Sequence, residues 1–248
     1  MTVSYEDLLS GDQILLDGVG HFRSPQLKEM HPGGIGWPTY NTFIYIIKAN
    51  RDELLALSPD AQSSDSLFLT IINNDQLRDL YRGVLDFFML ETVIYDDAQG
   101  RFVTLEVTPQ DDENVGISIV GEINADNLDD VRELILHLNY VSLKETDINM
   151  KFSSKAAEEA WLTIQKYQKD STGKKDDASH TIGNFISKLC AIHPSYNLFN
   201  VYELTVFQFY DAFFQSAYMK SFSFSEAVVS NHGSDSFDFN DWMNPVQN

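Results

Sequence analysis

The chain has 248 residues, 43% of them apolar, and a formal net charge of −20. That length suits one large domain or two small ones with a real core. The acidity argues against naked nucleic acid or an anionic membrane surface as ligand, because both are bound by clustered Lys and Arg. A single cysteine, Cys190, leaves no internal disulfide framework. No apolar run of about 18 residues occurs, so no membrane span is expected. The acidic start MTVSYEDLLSGD does not read as a secretory signal. The expectation is a soluble, intracellular protein.

In chain order, QILLDGVGHF (13–22) reads as a strand or hairpin turning at Asp17-Gly18. Ser24-Pro25 opens a short helical turn through Leu27 and Met30, and His31-Pro32-Gly33-Gly34 breaks it. Gly36-Trp37-Pro38 begins a helix carried by Tyr40, Phe43, Ile44 and Ile47, although Phe43–Ile47 is strand-like in composition. Asn50-Arg51-Asp52-Glu53 is a capping box for a short helix over Leu54, Leu55 and Leu57. Ser58–Ser66 reads as loop and Ser66–Ile72 as a short helix. Asn74 caps a helix over 75–90, where Leu77, Leu80, Tyr81, Val84, Leu85 and Phe88 recur every three and four residues.

The period then changes to two. Segments 92–95, 102–107 and 115–123 predict an antiparallel β-meander at about 92–123, with a polar turn over Thr108–Asn114. A helix follows at 128–138, with Asp126, Asp129 and Asp130 in or beside its first turn, where the helix dipole favours acids. Further helices are predicted at 154–168 and 180–192, separated by a linker-like stretch at 169–179. The stretch Asn200–Lys220 holds seven aromatics on about half of a helical circumference: Tyr202, Phe207, Phe209, Tyr210, Phe213, Phe214 and Tyr218. It reads as a helix from Val201 to Lys220 with Asn200 and Glu203 as its capping box, mostly core. Residues 230–234 read as loop. The predicted class is α+β, predominantly helical, with a small mid-chain antiparallel β-meander and a helical C-terminal half. The division is an α+β region at 1–150 and a helical region at 151–248.

No catalytic constellation emerges. The six histidines form no HExxH, and Cys190-x-x-His193 lacks a second half, so neither metal nor cofactor is expected. The glycines at 18, 20, 33, 34 and 36 read as turns rather than a phosphate loop. Between Glu91 and Asp147, fourteen acids face only Arg101, Arg132 and Lys144, a surface suited to a basic partner. The C-terminal tail is the more suggestive segment. Phe237, Phe239, Trp242 and Met243 alternate with acids, and such aromatic anchors are common in binding elements. With Phe207, Tyr210 and Phe214 of the aromatic helix they make the candidate partner-binding set.

The order of several motifs carries a resemblance. Gly18-Val19-Gly20-His21-Phe22 is followed by Ser24-Pro25-x-Leu27 and a helix start at Gly36–Tyr40. A β-meander comes next, then Gly121-Glu122-Ile123-Asn124 running into helix 128–138, then Asn200-Val201 and Leu204-Thr205-Val206-Phe207-Gln208-Phe209-Tyr210-Asp211. This resembles tail assembly chaperones and tail-region proteins of tailed bacteriophages that infect Gram-positive bacteria. The resemblance implies a non-enzymatic assembly factor in the host cytoplasm. It would bind a viral protein, the helix-rich tape-measure protein or another tail component, and self-association is an open addition. Two alternatives stand beside it: a structural virion tail or connector subunit, and an acidic regulatory or counter-defence protein that binds a host protein. Cys190 would be the best residue of an enzyme, the least favoured class.

Overall fold

The computed structural model describes residues 3–31, 33–58, 64–111, 114–141 and 181–232. They fall into two compact units. One comprises the described residues up to 143 together with Thr205–Phe207, and the other those of 144–204 and 208–248. The class is as expected: mostly helical, with small antiparallel sheets and C-terminal helices.

The first unit opens with α1 (Tyr5–Ser10), which the sequence analysis left unassigned. Ser4 is its N-cap: Asp7 N donates to Ser4 Oγ at 3.1 Å, and the Asp7 carboxylate accepts from Ser4 N. Gly11, at φ 72°, ends it. Strands β1 (Ile14–Leu16) and β2 (Gly20–Phe22) form the expected hairpin. A 3-10 turn over Leu27–Met30 starts two residues after Pro25, the predicted first helical position, because Gln26 is extended and bridges to Thr205. In α2 (Trp37–Lys48) the helix reading prevails over the strand-like composition. Pro38 fits the first turn, and Tyr40, Ile44 and Ile47 bury one stripe.

Helix α3 (Arg51–Leu57) begins at Asn50, whose Oδ1 accepts from Asp52 N and Glu53 N, both at 3.0 Å. Helices α4 (Leu67–Ile72) and α5 (Asp75–Phe88) begin at Ser66 and Asn74, each with its side chain accepting from the N3 amide. Helix α6 (Leu128–Leu138) packs against α2, and α5 packs against α2, α4 and the first strand of the meander. Phe22, Leu27, Ile47, Leu54, Ile71, Tyr81, Phe88 and Phe102 are fully buried and make the centre of this unit.

The meander is β3 (Thr92–Asp96), β4 (Arg101–Asp111) and β5 (Asn114–Ile123), in spatial order β3-β4-β5. Its last two strands are longer than predicted. The expected polar turn at 108–114 is instead strand up to Asp111 and again from Asn114. The alternation of Leu105 and Val107 against Ile119 and Ile117 drives the pairing onward. Strand β3 reaches only Leu105, so beyond that point β4 and β5 continue as a two-stranded ribbon. Directly opposite residues share a face. One face of the ribbon therefore carries Leu105, Val107, Ile117 and Ile119, and the other carries Glu106, Thr108, Gly116 and Ser118.

The second unit contains α7 (Ile182–Ile192), a short connection, a 3-10 turn (Val201–Glu203) and most of α8 (Val206–His232). The aromatic helix departs from the sequence reading at both ends. Leu204 is extended, with ψ 142°, and Thr205 bridges to Gln26, so the α-helix starts at Val206 rather than Val201. Asn200 makes no cap bond to a helix. At the other end, no Gly or Pro interrupts the chain before Gly233, and the helix runs past Lys220 to His232, through part of the predicted loop. The predicted helix 154–168, the linker 169–179 and the tail 236–245 lie outside the described residues.

Candidate protein-binding surface

In the first unit, the segment Gly18–His21 is threaded between two elements, which explains its residues. Thr104 Oγ1 donates to Val19 O at 2.5 Å, and Glu122 N donates to Gly18 O at 2.9 Å. A Cβ on Gly121 would collide with the Gly18 carbonyl. Gly20 has φ 141°, and a Cβ there would come within 2.9 Å of Glu91 Oε2. The buried Glu91 carboxylate accepts from His21 N at 2.9 Å and lies 2.7 Å from His21 Nδ1. The glycine-histidine motif is thus a tight backbone crossing held by a carboxylate. Its role in the first unit is structural.

Arg132 is the other buried charge. Its guanidinium donates to Ile47 O, Lys48 O and Ala49 O, closing the C-terminal end of α2, and pairs with Asp129 at 2.9 Å. Among the described residues, no group of three or more His, Cys, Asp or Glu side chains is placed to hold a metal ion. No described helix is long and apolar enough to cross a membrane. Cys190 is free and half-buried, and desolvation pushes its thiol up, which keeps it from being an activated thiolate.

The predicted partner-binding residues separate into two groups. Phe237, Phe239, Trp242 and Met243 lie outside the described residues. The three on the aromatic helix are largely interior. Phe207, in the first unit, is 1% exposed, and its ring stands 6.3 Å from that of Tyr5 and 5.2 Å from that of Tyr140. In the second unit Phe214 is buried and Tyr210 is half-buried by residue area, with ring centroids 6.4 Å apart. Desolvation pushes the Tyr210 hydroxyl up to about 12. Phe213 meets Phe185 of α7 at 5.2 Å. These rings form core in each unit, as the width of the aromatic arc suggests.

What the structure exposes instead lies in the connection between α7 and the 3-10 turn. Leu198 is 62% exposed and Phe199 94%. Their backbone is firmly held. Asn197 Oδ1 accepts from Phe199 N at 2.8 Å, Asn200 Oδ1 accepts from Asn197 N at 2.8 Å, and Asn200 Nδ2 donates to Ser195 O at 2.9 Å. Asn200 N and Val201 N both donate to Asn197 O. Val201, next in the chain, is fully buried and anchors the turn. A large aromatic side chain presented on a pinned backbone loses little freedom when it docks, which suits a protein-binding anchor. The sequence signal was two asparagines flanking Leu-Phe. Reading Asn200 as a helix cap concealed it.

Residues 173–247 match the family model described as YomV second domain. The match covers less than a third of the chain and includes α7, the Leu198-Phe199 turn and α8. YomV is a protein of a Bacillus prophage region, so the likeness points to a phage-related protein. No curated protein and no solved structure matches the chain.

Proposed function

We propose that this protein is a non-enzymatic bacteriophage assembly factor that binds another viral protein, and that it acts as a chaperone in tail assembly. The Leu198-Phe199 turn carries the reading: two large apolar side chains stand in water on a backbone fixed by asparagine hydrogen bonds. The phage-related second-domain match over the same region supports it, as does the resemblance of the Gly18–Phe22 and Leu204–Asp211 motifs to tail assembly chaperones. A strongly acidic body stays soluble while it shields an apolar helical client, and a two-residue anchor gives an affinity low enough for release. The aromatic residues Phe237, Phe239, Trp242 and Met243 supply a second contact in this reading.

Co-expression with the phage's own tape-measure protein tests it. The expected result is a soluble complex that Leu198→Ser with Phe199→Ser weakens by at least about tenfold, the loss of roughly 1.4 kcal/mol or more that a buried aromatic anchor supplies. Both residues are exposed, so the melting temperature should hold. An insoluble tape-measure protein with nothing co-purifying would sink the proposal.

A further inference from the structure

The apolar stripe of α8 runs on past its buried half. In the second unit Phe209 and Phe213 are buried, and Phe213 meets Phe185 of α7. Helix α7 has 11 residues and α8 has 27, about 16 Å against about 40 Å at 1.5 Å per residue. Ala217 and Phe224 follow Phe213 in α8 at positions within about 40° of it around the helix axis, so they continue the same stripe. Ala217 is half-buried, whereas Phe224 is 72% exposed. Beyond Tyr218, no described side chain of α8 is buried. Phe224 thus stands in water in register with a core position about three turns earlier.

Chain length and charge name the occupant. Residues 233–248 follow α8 directly and open with Gly233, a residue type suited to reversing a chain at a helix end. If 233–235 make the reversal, residues 236–242 span at most about 23 Å. The helix from Ala217 to His232 spans about 22 Å. A returning tail therefore has the length to lay Phe237, Phe239 and Trp242 along the stripe, through Phe224 and as far as Ala217. Charge agrees with length. The tail carries Asp235, Asp238 and Asp241 in a chain of net charge −20, while from Ala212 to His232 α8 has one acid, Glu226, against one base, Lys220. An acidic segment meets little repulsion on that face. A second copy would bring its whole negative charge, and a free partner must outcompete a tethered segment present at an effective concentration on the order of millimolar. We propose that in the free protein the C-terminal tail docks in cis on the distal stripe of α8.

The seat is inferred for the free chain and stands apart from the client reading. It is tested on the full chain in a Cys190→Ala background, without the tape-measure protein. Two exposed positions on α8 receive a cysteine in turn. Lys220→Cys lies one turn before Phe224 on the same side, and Glu226→Cys lies about 160° away around the axis. Each is combined with Asn240→Cys, which leaves every tail aromatic in place. Chain separation alone favours the Glu226 pair, because its loop is shorter. Docking reverses that order. The intramolecular disulfide is expected to form at least about tenfold faster for the Lys220 pair, and adding Phe237→Ser with Phe239→Ser should abolish the difference. Equal rates or a faster Glu226 pair would overturn the proposal and leave the stripe to a partner protein. Disulfides that form between chains would overturn it in favour of a second copy. A difference that survives the serine substitutions would overturn it by showing that the aromatics do not hold the tail.

Discussion

Single residues in this protein matter most where a polar group sits inside. Arg132 is the clearest case, since one guanidinium satisfies three carbonyls at the end of α2. Arg132→Ala leaves those carbonyls without partners and opens a gap between α2 and α6. A loss of about 3 kcal/mol is expected in urea unfolding, since each buried unsatisfied group costs about 1–3 kcal/mol. The lysine variant should recover only part, because a single ammonium cannot reproduce the planar fork. Tyr210 gives a pH signature. Its folded value of about 12 lies above the ordinary tyrosine value of about 10. The folded state therefore holds this proton more tightly than the unfolded one. Its contribution is complete below pH 10 and is lost as pH rises through 12. Tyrosinate absorbance should lag behind that of the denatured chain in that window, and Tyr210→Phe should reduce the lag.

At the scale of elements, local signals served well wherever caps and periodicity agreed. Asn50, Ser66 and Asn74 start the helices that their spacing announces, and the meander follows its period of two. Misreadings came where a distant part of the chain decided the outcome. Helical spacing continues through Leu204 and Thr205, but that stretch is pulled into an extended bridge with Gln26, a tertiary preference invisible to a local window. The candidate site was legible only in part for a related reason. Aromatic density marks both cores and binding faces, and on α8 it marked core. The exposed turn was written in two asparagines, whose role depends on backbone geometry. The start of α8 also yields a prediction. Phe207 is 1% exposed between Tyr5 and Tyr140, so Phe207→Ala should cost about 3–5 kcal/mol of stability. Phe224, 72% exposed on the same helix, should tolerate alanine within about 0.5 kcal/mol. Thermal unfolding of the two variants measures the contrast.

For the molecule as a whole, the division into units does not follow the chain. The first unit needs Thr205–Phe207, which arrive only after the described helix α7 and its turn. Val206 N donates to Pro25 O, and Phe207 N to Ser24 Oγ. A fragment ending at residue 143 lacks both donors and the Phe207 ring. It is expected to melt earlier than the same unit in the full chain, or to aggregate. A peptide spanning 200–212, added in trans, should raise its melting temperature in proportion to the logarithm of peptide concentration once the site is saturating. A fragment as stable as the intact unit would show that the late segment contributes nothing.

That non-contiguous closure sets a timetable for synthesis. Ribosomes add about 5–20 residues per second. Roughly sixty residues separate the end of the first unit's main body from the three that complete it, so the unit waits several seconds before it can close. During that interval the pocket beside Tyr5 and Tyr140 stands empty, and Pro25 O and Ser24 Oγ await the Val206 and Phe207 amides. The interval of greatest exposure to misassembly therefore falls during the chain's own synthesis, before Thr205–Phe207 emerge.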